Sequence, residues 1–472
     1  PHAIHSRHVP TSNQMFNPAI STATVHPSAI VSGRFVNTPI FARWEVNQTS
    51  GTTANESCID RITCDRISRA PTPCSPYIAV TMTAGMMAIS RVIRRRSHAG
   101  NRMSRKPSIT IWPASVPVMV ELCPAASSAT AKSVAAALSG KYPSMLKRSG
   151  YFFTKYSESN LFFPELLSAA GAHTMSTHAH MYMRKGHNGM DQGFADWRIV
   201  DGLSFDAQTD NHVTSHKVTP LAIQQLEAAP KDKPFFMYLH YMDPHDVYHQ
   251  HKDTPVFGKK VRDRYDSEVF YTDLWIGKLL EHMKKQSWWD KTVVIVSADH
   301  GEAFGEHNMY RHAFELWEML VHVPLMFCGP NIQARRIESP RSSIDFAPTI
   351  VELMGVKAAN DFVGESLVAE LGGAAPKDRP VLLDLPADSN NPERRALISG
   401  DYKLLVFGND WRFDLYDLKS DPGETKNLAK TQPEKLTEMK ALYQKVWGPL
   451  PKVKPYGGNK LEGGGTASGP AN

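Results

Sequence analysis

Between residues 291 and 327 the chain reads KTVVIVSADHGEAFGEHNMYRHAFELWEMLVHVPLMF, and its polarity pattern predicts two strands with a polar connection. Residues 292–296 form a continuous apolar run rich in β-branched side chains, the pattern of a strand buried on both faces. The run stops at Asp299-His300-Gly301, and Val323-Pro324-Leu325 opens the next strand. Upstream, 162–171 has a helical apolar stripe ending in Gly171, and a strand follows at His173. Further helices are predicted over 218–229 and 265–284, and a buried strand over 233–240 that ends in Asp243-Pro244-His245-Asp246. After 343–355, a helix, short strands follow near 381–384, 395–399, 402–406 and 413–418, then a closing helix over 434–447. With 472 residues, the chain is long enough for one large α/β domain plus a smaller one.

Charge changes this picture at the amino end. Residues 1–123 hold 13 Lys and Arg against 5 Asp and Glu, although the whole chain of 472 residues carries a net charge of only +6. The segment is rich in Ser, Thr, Pro, Arg and Ile, with no sustained helical period and few clean strands. It is expected to be an atypical basic segment, out of frame or disordered; the resemblance described below implies that a catalytic core over 124–360 and a C-terminal subdomain with a small antiparallel sheet over 361–450 follow it, and a flexible tail is expected over 451–472. The basic run 91–96 reads as a solvated loop rather than a nucleic-acid site, and no apolar run reaches the roughly 18 residues that span a bilayer. The five cysteines show no metal spacing and no disulfide framework.

Candidate chemistry sits where strands end. Asp299 and His300 follow a buried strand, the place where α/β sheets bind ligands, and a carboxylate beside an imidazole suits a divalent cation. Gly301 and Gly305 are expected to let the backbone approach a ligand. Thr130 opens a small-residue helix, where free N–H groups favour an oxyanion.

The order Ser297-Ala-Asp299-His300-Gly301, Gly305-Glu306-His307, His312, Glu318 and Val323-Pro324-Leu325 resembles the sulfatase family of the alkaline-phosphatase superfamily. The resemblance extends through Ser139-Gly140-x-Tyr142-Pro143, Glu165-x-Leu-x-x-Ala-Gly171 and Asp243-Pro-His245. It continues through Asp345-x-x-Pro348-Thr349 and Asp421-Pro-Gly-Glu424-x-x-Asn427-Leu428, covering 125–447. It implies an alkaline-phosphatase-like α/β fold with a mixed, mostly parallel sheet flanked by helices. It also implies hydrolysis of a sulfate ester of a small molecule, glycan or lipid. The nucleophile position falls on Thr130, the ester-contacting positions on His178, His180, His245 and His312, and the metal positions on Asp299 and His300. The cation would be Ca²⁺ or Mg²⁺, with Mn²⁺ or Zn²⁺ as alternatives, and the location periplasmic or extracellular. Two histidines at i and i+2 on one strand, His178 and His180, would face the same side. Three departures from the family pattern stand out. Thr130 cannot become formylglycine, Lys132 replaces a proline, and no apolar strand ending in an acidic pair precedes residue 125. Thr130 favours an alternative, a phosphodiesterase or phospho-transferase on the same fold. The missing pair favours another, an inactive family member.

Overall fold

The computed structural model describes residues 78–84, 118–203, 213–359 and 361–457. In chain order its strands and helices begin with β1 (Ile78–Ala84), β2 (Val118–Pro124), α1 (Thr130–Ser139), α2 (Phe163–Ala169), β3 (His173–His178), β4 (Asp196–Ile199), α3 (Ser215–Ala228) and β5 (Phe235–Tyr241). Then come α4 (Val261–Met283), β6 (Thr292–Ser297), the hairpin β7 (Ala303–Phe304) and β8 (Tyr310–Arg311), α5 (Glu318–Val321), β9 (His322–Cys328), β10 (Arg335–Ile337) and α6 (Phe346–Leu353). Last are α7 (Val368–Leu371), β11 (Val381–Leu385), β12 (Arg394–Ser399), β13 (Tyr402–Phe407), β14 (Arg412–Asp417) and α8 (Pro433–Trp447).

Eight of the described strands form one sheet in the order β10-β2-β9-β6-β1-β5-β3-β4. β6, β1, β5, β3 and β4 are mutually parallel, and only β9 runs against its neighbours β6 and β2. The reason is the run predicted from sequence: β5 and β6 are buried along their whole length, as strands covered on both faces must be. Their alternate side chains pack with different helices. Phe236, Tyr238, Val293 and Ile295 share a core with residues of α1, α2 and α6. Phe235, Met237, Leu239, Val294 and Val296 share another with α3 and α4. A one-residue slip of β6 would exchange the two sets, so the register is tightly specified.

β11 to β14 form a separate antiparallel sheet, backed by α8 through Met439, Tyr443 and Trp447. No helix among the described residues is long and apolar enough to cross a membrane.

Two expectations need correction. The 1–123 segment supplies a whole sheet strand, β1, between β5 and β6, and most of β2. β1 escaped notice because its IAVTMTA run mixes small and polar residues with apolar ones, and its strand state comes from its two neighbours. The stretch after 450 is also tied down at its start. Tyr456 N–H donates to Arg148 O at 2.9 Å, and Val453 N–H to Ser144 O at 2.9 Å. The expectations for the rest of 1–123 and for 458–472 lie outside the described residues.

Candidate active site

The carboxyl ends of β3, β5, β6 and β1 lie side by side in the sheet, and three of them carry candidate side chains. β6 delivers Asp299 and His300, β5 delivers His240, and β3 delivers His178, which is paired in register with His240.

Thr130 reaches this edge from β2. The turn between β2 and α1 is built from Ala125 to Ala129, all buried. Its backbone is fixed by Ala125 N–H to Val321 O at 2.8 Å and by Ala126 N–H to Ser343 Oγ at 2.9 Å. Small side chains permit that approach. α1 ends at Gly140, whose φ of +64° and closeness to Phe362 (2.9 Å from a notional Cβ) exclude larger residues. Thr130 is the first helical residue, and Ala129 is the cap. Its hydroxyl is therefore not spent on capping and lies 3.0 Å from His300 Nε2. His300 Nδ1 lies 2.9 Å from the carbonyl oxygen of Gly301. That carbonyl can only accept, so Nδ1 carries the proton and Nε2 accepts from Thr130.

Asp299 is buried, with His300 Nε2 3.4 Å and His240 Nε2 3.7 Å from its Oδ2. Neither carboxylate oxygen makes a short, well-aligned hydrogen bond to a described residue. Burial opposes the charge, yet the neighbouring imidazoles of His300 and His240 and the Thr130 hydroxyl hold the Asp299 carboxyl well below its usual range.

Of the other predicted histidines, His312 is the most informative. Its ring stacks on His300 with centroids 4.1 Å apart, and its Nδ1 lies 3.1 Å from Glu302 Oε1. Burial favours the neutral ring, but the Glu302 carboxylate and its hydrogen bond win and raise the His312 pKa. Burial, then His312, then Tyr248 act on Glu302, whose carboxyl ends lower than usual. His245 packs edge-on against His312 at 5.5 Å and is half-buried. His180 is pushed down to about 3 by burial and by His240. His178 is also held well below its ordinary value, by burial first and then by His240, and its ring lies 4.7 Å from Trp197.

The strand argument for His178 and His180 is overturned. β3 ends at His178, and His180 caps the next turn, its Nδ1 accepting from Tyr182 N–H at 3.2 Å. The role of Gly301 also changes: a Cβ there would sit 2.2 Å from Met319 O, so the glycine admits a neighbouring backbone rather than a ligand. His307 turns away, stacked on Trp317 at 3.9 Å. His240 and Glu302 were missed. The signal for His240 was a lone polar residue near the end of a fully apolar strand, and for Glu302 its place beside Asp299-His300-Gly301.

A divalent cation fits this donor set poorly. Asp299 offers an unpartnered carboxylate, but no group of three or more His, Cys, Asp or Glu among the described residues is arranged to hold a metal. β1 ends in Thr83-Ala84, and from 66 to 120 the sequence contains no Asp or Glu. Hard cations need several oxygen ligands, and one carboxylate with one imidazole falls short.

A family model, Sulfatase, matches residues 121–356, and that of the N-sulphoglucosamine sulphohydrolase C-terminal region matches 305–448. Arylsulfatase K of Mus musculus is 29% identical over 218 residues, 43% of this chain and 39% of that protein. This chain spans about two-fifths or less of the length of the first curated relatives it matches. Among solved structures, a 2-O GAG sulfatase superposes with a TM-score of 0.61 at 17% identity, covering 79% of this chain and 92% of that one. The phosphonate monoester hydrolase of Agrobacterium radiobacter does so with a TM-score of 0.61 at 15% identity, covering 79% and 95%. These two likenesses show the fold.

Proposed function

The chain belongs to the sulfatase family, and we propose that it hydrolyses a sulfate ester with Thr130 as nucleophile. The observation that carries this reading is the Thr130 hydroxyl, half-exposed at a helix N-terminus and hydrogen-bonded to His300 Nε2 at 3.0 Å. In the first step the hydroxyl proton passes to His300 and Oγ1 attacks sulfur in line. The S–O bond to the leaving group breaks, and the departing oxygen takes a proton from His312, whose Nδ1 is held by Glu302. Water then attacks sulfur of the sulfothreonine and gives its proton to His312. The S–Oγ1 bond breaks, and Oγ1 regains its proton from His300. His245, beside His312, and the free N–H groups of α1 are set to receive charge on the non-bridging oxygens. His178 and His180, buried and neutral, line the floor.

The family resemblance implies Ca²⁺ or Mg²⁺, with Mn²⁺ or Zn²⁺ as alternatives, at Asp299 and His300. The donor set fits such an ion poorly, so every step above runs through side chains. Titration of the full chain with Ca²⁺ or Mg²⁺ is expected to give a dissociation constant of about 10⁻⁴ M or weaker. Sub-micromolar binding would mean that residues outside the described ones complete a cation site.

Thr130, which cannot become formylglycine, supports a second reading on the same side chains: phosphodiester hydrolysis or phospho-transfer. Parallel assays on an aryl sulfate, an aryl phosphate monoester and a bis-aryl phosphate separate the two. Preference for the sulfate, lost in Thr130→Ala, supports the first reading. Turnover of all three esters unchanged in Thr130→Ala rejects both, and turnover of none leaves an inactive family member. The family resemblance favours a periplasmic or extracellular location, and a small molecule, glycan or lipid as the carrier of the ester.

A further inference from the structure

Residues 386–393 join β11 to β12 of the C-terminal sheet, and they reach both segments that carry the proposed chemistry. Lys132 stands two residues after Thr130 in the first turn of α1. Its Nζ donates to Asp388 Oδ2 at 2.6 Å, with the two side chains only 1% and 2% exposed. Burial pulls the Lys132 pKa down, and Asp388 is the main group opposing that fall. The carboxylate is itself held in place, because Asp388 Oδ1 accepts from Asn390 N–H at 2.8 Å and from Asn391 N–H at 2.9 Å. Asn391 is buried too, and its Nδ2 donates to Ala313 O at 2.9 Å.

Ala313 follows His312 directly. Arg311 and Ala313, on either side of it, have φ of +69° and +80°, a left-handed conformation that non-glycine residues keep only where their surroundings impose it. Three residues of the C-terminal sheet's first connection, Asp388, Asn390 and Asn391, thus tie the nucleophile helix to the strained segment bearing His312, over sequence separations that no local folding preference could span.

We propose that Asp388 and Asn391 are positioning residues: acting through Lys132 and the Ala313 carbonyl, they set the distance between the Thr130 hydroxyl and the His312 ring. The proposal rests on Thr130 and His312 acting on the ester. Neither residue touches the reacting atoms, so their effect should appear in kcat rather than KM. Misplacement by about 1 Å costs a reaction up to about 100-fold.

The test is Asn391→Ala in the full chain, with ring ¹³C–¹H spectra of labelled histidines read beside kinetics on an aryl sulfate. We expect kcat to fall about tenfold or more, KM to stay within about twofold, and the His312 ring signal to move. Ser389→Ala is the control; it removes the acceptor of Phe152 N–H at 3.0 Å and a donor to the Asn390 side chain at 3.3 Å, leaves the backbone N–H bonds to Asp388 and the Asn391–Ala313 bond in place, and should leave kcat and the His312 signal unchanged. An unmoved His312 signal in folded Asn391→Ala overturns the proposal whatever the rate. A moved signal with unchanged kcat in an active protein also overturns it. If the wild-type chain turns over no ester, the proposed function fails instead, and the His312 signal alone then decides whether the tether exists. Should Asn391→Ala not fold, the pair Lys132→Met with Asp388→Asn, which removes both charges together, takes its place under the same readouts.

Discussion

Lys403 and Asp299 are both charged and both buried, yet their surroundings differ in kind. Lys403, on β13, has Glu318 Oε1 at 2.8 Å and Glu424 Oε1 at 2.9 Å. Glu424 also accepts the N–H of Glu318 at 2.6 Å, so the cluster ties α5 to the C-terminal turn. Asp299 has imidazoles at 3.4 and 3.7 Å and the Thr130 hydroxyl beside it, but no short contact to a Lys or Arg. A buried charge with short, opposite-signed contacts belongs to the framework. One left without them costs stability, and folds tolerate that cost mainly where chemistry needs it.

The largest test of this contrast is Thr130→Ala. It should lower kcat/KM on the preferred ester by about 10⁴-fold or more, with a melting temperature close to wild type because the hydroxyl supports no cap. Next, Lys403→Met should destabilise the fold by about 3–5 kcal/mol, since it leaves two buried carboxylates facing each other. Asp299→Asn should leave the denaturant midpoint unchanged or higher, while lowering turnover. Equal destabilisation in both variants would erase the distinction between the clusters. His312→Ala is expected to cut kcat by roughly 100-fold, and an unchanged rate would remove His312 from the mechanism.

The smallest effect concerns pH. Burial first, and then Glu318 against the counter-pull of Lys403, leaves Glu424 raised to about 7. Its folded pKa exceeds its unfolded value of about 4.3, so the folded state binds the extra proton. The associated stability is full below that value and is lost as pH rises towards 7. His322 lies 3.4 Å from Glu318, so the readout is the difference between wild type and Glu424→Gln. The variant should show a shallower fall in unfolding free energy between about pH 4.5 and 7; parallel slopes would contradict the assignment.

Much of this architecture was legible in the residue order. The runs that became β5 and β6 bury both faces, so they announced themselves by composition, and Asp299 and His300 followed from where β6 stops. Thr130 was assigned by register from Ser139-Gly140, and its place as the first residue of α1 fits that register. What stayed hidden depended on partners far away in sequence. β1 is a strand because β5 and β6 flank it, not because of its own pattern. His240 looked like part of an apolar run until its ring was seen beside Asp299. Asp388 and Asn391 sit in a polar loop whose sequence carries no trace of Lys132 or Ala313. The flexible-tail expectation failed at 451–457 for a similar reason: backbone hydrogen bonds from Val453 and Tyr456 are invisible to composition.

The central place of β1 also bears on how the chain comes together during synthesis. Ala79 pairs with Phe236 and Ile78 with Thr292, so this strand leaves the ribosome long before either neighbour exists. At about 5–20 residues per second, it waits of the order of ten seconds or more for its first partner and longer for its second. The sheet cannot complete its middle until β6 has emerged, which makes nascent chains that end before β6 candidates for chaperone capture and for edge-to-edge aggregation.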